Sequence, residues 1–212
     1  MATVILDLDG PLLDGRYRHY ACYSRILVER GCLPMGLERY WQMKRERKDR
    51  RDQLSATHAE SIYDEFVSRW LRLIETPEYL ALDRVYPWVV EMLGKWKHEG
   101  RRLVLATQRH DAFALRNQLA IFALDRFLDH VVVCDHREGG LGKARLVREV
   151  AGSNADDEFV WIGDTEVDIE AARLFGCPVW AVCCGLRTEA YLRSLSPDHT
   201  CCDLREVELE GI

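Results

Sequence analysis

Short apolar runs bounded by turn residues alternate, over most of this chain, with stretches whose apolar residues recur every three or four positions. The first run, Val4-Ile5-Leu6, is apolar on both faces and leads into Asp7-Leu8-Asp9-Gly10. A strand of that kind fits the interior of a parallel sheet, where both faces are covered. Similar runs at Arg102–Thr107, His130–Cys134, Phe159–Gly163 and Pro178–Cys183 predict further strands. Helical spacing is predicted between them: Trp88, Val89, Met92, Leu93 and Trp96 on one face before Gly100, then about Asp111–Ala123, a segment starting near Gly142, and Val167–Phe175. Strands alternating with helices predict right-handed crossovers and a mostly parallel sheet.

One segment breaks the alternation. Tyr17–Arg30, Leu37–Leu54 and Ser61–Glu75 read as successive helices with no strand between them, the last repeating Ile62, Phe66, Trp70 and Ile74. The expected architecture is therefore α/β: a Rossmann-like core from residues 1–15 and 83–212, carrying an α-helical insert at 16–82. The acidic tail Asp203–Glu210 reads as a solvated edge.

Composition narrows the function classes. The chain has 212 residues and a formal net charge of -6, which argues against a general binder of nucleic acid or anionic membrane. There is no basic leader before a long apolar stretch and no apolar run of membrane-spanning length, so a soluble cytoplasmic protein is expected. The eight cysteines show no C-x-x-C spacing, and reduced thiols are expected rather than a zinc site or a disulfide framework.

The candidate chemistry lies where strands end. Asp7 and Asp9 are spaced to share a face of the first strand, and two carboxylates at the end of a buried strand need a cation nearby. Thr107 closes another strand, Asp164 follows the run ending at Gly163, and Lys143 follows Gly139-Gly140-Leu141-Gly142. Ligands of open parallel sheets bind at the carboxyl ends of strands, so these groups can converge. Such acids suit a hard cation such as Mg²⁺, and the cation, lysine and hydroxyl together suit a phosphoryl group. The glycine run is not a nucleotide P-loop, because Arg137 stands where the first glycine is required and Ala144 where a Ser or Thr is required.

Asp7-Leu8-Asp9-Gly10-Pro11-Leu12-Leu13-Asp14 resembles the first motif of the haloacid dehalogenase superfamily. Thr107-Gln108-Arg109 is similar to its second, Gly142-Lys143 to its third, and Gly163-Asp164-Thr165-Glu166-Val167-Asp168 to its fourth, in the same order. The insert resembles the mobile helical cap of the phosphoglycolate-phosphatase-like branch. The resemblance implies a phosphatase that hydrolyses a small phosphorylated metabolite through an aspartyl-phosphate on Asp7, with Asp9 as general acid and then base. It implies Mg²⁺ held by Asp7, the main-chain carbonyl of Asp9, and Asp164, with Asp168 in its shell. Thr107 and Lys143 would hold phosphate oxygens, and Gln108 and Arg109 would face the substrate. The dehalogenases of the superfamily lack the second acid, which this chain keeps as Asp9. Pro11 departs from the common threonine and removes an amide donor.

Three other functions remain open at this stage: a phosphomutase of the same branch, a nucleic-acid end phosphatase using the basic stretch Lys44–Arg51, and a non-catalytic binding module. On a continuous helix, Glu46 with Arg50 and Asp49 with Arg45 would form i,i+4 pairs on a solvated face.

Overall fold

The computed structural model describes residues 2–152 and 158–209. The chain divides into two compact units, Met1–Leu13 with Val85–Ile212, and Asp14–Arg84. In the first, β1 (Thr3–Leu6) precedes the short β2 (Leu13–Asp14). The second unit holds α1 (Arg16–Val28), α2 (Leu37–Arg45), α3 (Arg50–Ser55), α4 (Tyr63–Leu73) and α5 (Pro77–Leu80). After β3 (Arg84–Val85) come α6 (Val89–His98), β4 (Arg102–Thr107), α7 (Ala112–Ile121) and β5 (His130–Val133). They are followed by α8 (Gly139–Ala151), β6 (Phe159–Gly163), α9 (Glu166–Phe175), β7 (Val179–Val182), α10 (Glu189–Ser194) and β8 (His199–Cys201).

Among the described residues six strands form one sheet in the order β5-β4-β1-β6-β7-β8, every neighbouring pair parallel. This is the α/β class that the alternating pattern predicts. β1 is central: Leu6 stands opposite Leu105 on one side and Ile162 on the other. Its two faces meet different helices. Val4 and Leu6 pack with Leu93 and Trp96 of α6 and Leu115 and Leu119 of α7, whereas Ile5 packs with Ala144 and Val147 of α8 and Ile169 of α9. That double covering is why the strand carries no polar alternation. Each such aliphatic side chain contributes about 1.5–3 kcal/mol by leaving water.

The structure departs from the sequence expectations at several points. The helix expected at Leu37–Leu54 is two helices, broken where Arg47 takes a left-handed φ of 62°. Asp49 starts α3 with a reciprocal capping box: its Oδ1 accepts from the Asp52 amide at 2.8 Å, and Asp52 Oδ2 accepts from the Asp49 amide at 3.2 Å. The i,i+4 geometry of a continuous helix is therefore lost between Arg45 and Arg50. Lys44 and Arg50 instead lie over the Trp70 ring, 5.2 and 5.6 Å from its centroid. α8 begins at Gly139, before the expected Gly142, and β8 joins the sheet although His199-Thr200-Cys201 has no apolar run.

The acidic tail is not a solvated edge. Leu204, Val207 and Leu209 are buried in the same cluster as Val4 and Trp96, and Asp203 is buried against Arg205 at 2.7 Å. Glu210 lies outside the described residues.

The helical unit has a core of its own, with Tyr23 stacked on Tyr40 at 4.4 Å and Phe66 and Trp70 buried beside Leu54. Arg18, on α1, and Asp83, just before β3, form a buried ion pair at 2.8 Å. All eight cysteines are free thiols. Among the described residues no helix is long and apolar enough to cross a membrane.

Candidate active site

β1, β4 and β6 are neighbours at the middle of the sheet, so the residues leaving their carboxyl ends meet. Asp7 follows β1, Thr107 closes β4 and Asp164 follows β6. Lys143, in the second turn of α8, is 1% exposed and reaches two of the acids: its Nζ lies 3.0 Å from Asp7 Oδ1 and 2.8 Å from Asp168 Oδ1. The glycine run before it has a packing role. A Cβ on Gly140 would stand 2.7 Å from the Ala171 amide nitrogen, so the glycine lets α8 lie close on α9.

Asp168 is fully buried, and both its oxygens have protein donors. Oδ1 takes the lysine and, at 3.4 Å, Trp161 Nε1; Oδ2 accepts from the Thr165 hydroxyl at 2.8 Å and the Thr165 amide at 3.2 Å. It thus caps α9 and anchors Lys143 at once.

Asp164 is arranged differently. Its Oδ2 accepts from the Leu186 amide at 2.5 Å, while its buried Oδ1 has no hydrogen-bond partner. Two glycines make room for this carboxylate. A Cβ on Gly10 would stand 2.1 Å from Asp164 Oδ2, and one on Gly185 would stand 2.0 Å from the same atom. Gly10 also holds φ at 105°, a conformation side-chain-bearing residues rarely adopt.

The electrostatics follow from this crowding. Burial pushes Asp7 up to about 7, against the pull of Lys143 and with further pressure from Asp168 and Asp9. Burial, then Asp7 and Asp168, raise Asp164 well above the ordinary carboxylate range. Burial works against the charge on Lys143, but Asp168 and Asp7 together hold it above its usual value. Asp7, Asp164 and Asp168 each offer an oxygen within 4.8 Å of the others. Three carboxylates share one contacting lysine, so ionising all of them would leave the cluster short of positive charge. A divalent cation with oxygen ligands fits both that deficit and the orphaned Asp164 Oδ1.

Asp9 stands apart from the cluster, in a forked ion pair with Arg109: Nε to Oδ2 at 2.6 Å and Nη2 to Oδ1 at 2.8 Å. Arg109, expected to face the substrate, is only 4% exposed and is used on Asp9 in this structure. Gln108 is half-buried, and its Nε2 is a buried donor with no protein acceptor. Thr107 is buried at the end of β4. The turn after Asp9 tolerates Pro11, because the amides of Gly10, Leu12 and Leu13 make its bonds, to the carbonyls of Leu13, Leu8 and Leu8.

Sequence reasoning missed the loop after β7. There, Arg187 forks onto Glu166 at 2.7 and 2.9 Å, the Cys184 thiol donates to the Gly10 carbonyl at 3.3 Å, and the Tyr86 hydroxyl donates to the Cys184 carbonyl at 2.9 Å. Gly185, three residues after the end of β7, is the one local signal of a close approach.

Comparison with known proteins covers most of the chain. A family model described as haloacid dehalogenase-like hydrolase matches residues 1–176. A phosphoglycolate phosphatase of Pseudomonas putida is 26% identical over 210 residues, covering 95% of this chain and 76% of that protein. Among solved structures, a haloacid dehalogenase-like family hydrolase from Streptococcus pneumoniae superimposes with a TM-score of 0.75 at 18% identity, covering 97% of this chain and 95% of the other. A predicted phosphoglycolate phosphatase from Haemophilus somnus gives a TM-score of 0.73 at 18% identity, covering 95% and 94%. At such identities the structural likenesses speak for the fold.

Proposed function

The chain belongs to the haloacid dehalogenase-like hydrolase family, and we propose that it is a Mg²⁺-dependent phosphatase acting on a small phosphate monoester. The observation that carries the proposal is the carboxylate cluster of Asp7, Asp164 and Asp168 around one buried lysine, at the carboxyl ends of the central strands. A site that only packed the fold would gain nothing from burying acids in excess of their cations.

Asp7 is the nucleophile. Its carboxylate attacks phosphorus in line, forming an aspartyl-phosphate as the alcohol oxygen departs. Asp9 gives that oxygen its proton, then takes one from the water that attacks the phosphorus of the aspartyl-phosphate. Phosphate leaves, and Asp7 is restored. The Thr107 hydroxyl, the Gln108 amide and the Lys143 ammonium donate to the phosphoryl oxygens. The Arg109 fork holds Asp9 as a carboxylate, so the fork must open for Asp9 to take up the proton that it then gives to the leaving oxygen. Asp7, the main-chain carbonyl of Asp9, and Asp164 would hold Mg²⁺, with Asp168 in its shell steadying Lys143. When bound, the ion supplies positive charge against the transferring phosphoryl group. The helical unit Asp14–Arg84 is the cap and selects the substrate. Phosphoglycolate, the substrate in the name of the Pseudomonas putida relative, is the first compound to try.

Release of inorganic phosphate from phosphoglycolate, a panel of other small monoesters and an aryl phosphate tests the proposal, with and without Mg²⁺. Metal-dependent release without a sugar-bisphosphate activator is expected. Transfer to sugar in place of release would make the protein a mutase, and silence across the panel despite bound Mg²⁺ would count for a binding module.

The metal has a pH signature. Because Asp7 sits at about 7 in the metal-free protein, it is protonated below that value and must lose its proton to take the cation. Asp164, raised in the same way and also a ligand, competes in the same direction, so Mg²⁺ affinity is expected to fall as pH drops through 7 by about tenfold per pH unit for each competing proton. Calorimetric titration in two buffers of different ionisation enthalpy would reveal the released proton, and affinity flat from pH 8 to 5.5 would contradict it.

A further inference from the structure

We propose that Glu166 and Arg187 are positioning residues for the metal ligand Asp164, a role that rests on the assignment of Asp164 to Mg²⁺. Glu166 is the first residue of α9, two positions after Asp164, and Arg187 lies in the loop after β7, beside Leu186. Their forked pair, at 2.7 and 2.9 Å, is largely sheltered, with side chains 15% and 23% exposed for Arg187 and Glu166. The third guanidinium nitrogen, Nη1, donates to the Leu186 carbonyl at 3.1 Å. Arg187 therefore grips both Glu166 and the backbone of the residue whose amide holds Asp164 Oδ2.

The rest of the loop is tied in the same direction. Cys184 is held between Gly10 and Tyr86, and Gly185 lies where a Cβ would come within 2.6 Å of the Gly10 Cα. With the loop fixed, Oδ2 of Asp164 stays on Leu186, and Oδ1 is the oxygen left for the metal. The position and the charge of Arg187 act on a bound cation with opposite signs. As a nearby positive charge it repels Mg²⁺; as the clamp of the loop it favours binding by holding the ligand still. Which effect dominates decides the direction in which removing it moves the affinity.

The test is calorimetric titration of Mg²⁺ into wild type, Arg187→Gln, Arg187→Lys and Glu166→Gln, each first checked for an unchanged circular dichroism spectrum. Outer-shell partners of metal ligands typically contribute about 10- to 100-fold in affinity, and a loss of that size is expected for Arg187→Gln and Glu166→Gln. Arg187→Lys, which keeps the repelling charge and loses the fork, is expected to bind no more tightly than Arg187→Gln. Affinity equal to or tighter than wild type in Arg187→Gln overturns the proposal, because charge and not position then governs. A wild-type protein that binds no Mg²⁺ overturns the metal assignment itself, and this proposal with it.

Discussion

Asp7→Asn is expected to abolish phosphate release, by at least about a thousandfold, while leaving a folded protein. Asparagine keeps the shape of the side chain and removes the anionic oxygen that must attack phosphorus. Lys143 keeps Asp168 as its partner in the variant, so no buried charge is left alone. The stability consequence runs the other way from the catalytic one. Asp7 stands at about 7 in the folded chain against an ordinary 3.8, so the folded state holds its proton longer than the unfolded chain does. Stability is then lost as pH rises from about 4 toward 7, and the asparagine variant escapes that loss. In metal-free buffer at pH 8 the variant should melt no lower than wild type. Turnover within tenfold of wild type would place the nucleophile elsewhere.

Lys143→Met is expected to damage stability as well as activity. The lysine is 1% exposed and contacts Asp7 and Asp168, and Asp168 in turn caps α9. Methionine fills much of the same volume but leaves two buried carboxylates facing each other. Removing one partner of a buried ion pair typically costs about 3–5 kcal/mol. A loss of that size should appear in urea denaturation of the metal-free protein. Saturating Mg²⁺ should recover part of it, since a ligand bound only by the folded state stabilises it by mass action. Activity should remain low, because the phosphoryl oxygens lose a charged donor. Wild-type stability in metal-free buffer would mean that the ammonium does not neutralise the cluster.

The sequence showed some parts of this molecule and hid others for physical reasons. β1, β4 and β6 were legible because strands covered on both faces must be apolar throughout, and Phe159–Gly163 could be bounded to the residue. The break after α2 was less visible: its capping box uses Asp52 where Glu or Gln is the usual signal, inside a run of basic residues. β8 has only three residues, two of them polar, and offers no period to detect. In the tail, charged residues separate Leu204, Val207 and Leu209, so the count of acids concealed an apolar set.

At the site, Asp7, Thr107, Lys143 and Asp164 could be picked out because each stands near the end of a strand or the start of a helix. The partnerships could not. Arg109 and Asp9 are 100 residues apart, and Arg187 and Glu166 are 21 apart with a strand between them. Nothing local to either pair specifies the other member.

The bond from Leu186 to Asp164 has a consequence for ion selectivity. With Oδ2 engaged by an amide and Oδ1 without a partner, Oδ1 is the oxygen of Asp164 more available to a cation. Ca²⁺ takes six to eight oxygens at longer range and often uses a carboxylate through both of its oxygens, whereas Mg²⁺ accepts one oxygen from each ligand in a tight octahedron. A single backbone amide thereby favours coordination by this carboxylate through one oxygen, which suits the smaller ion.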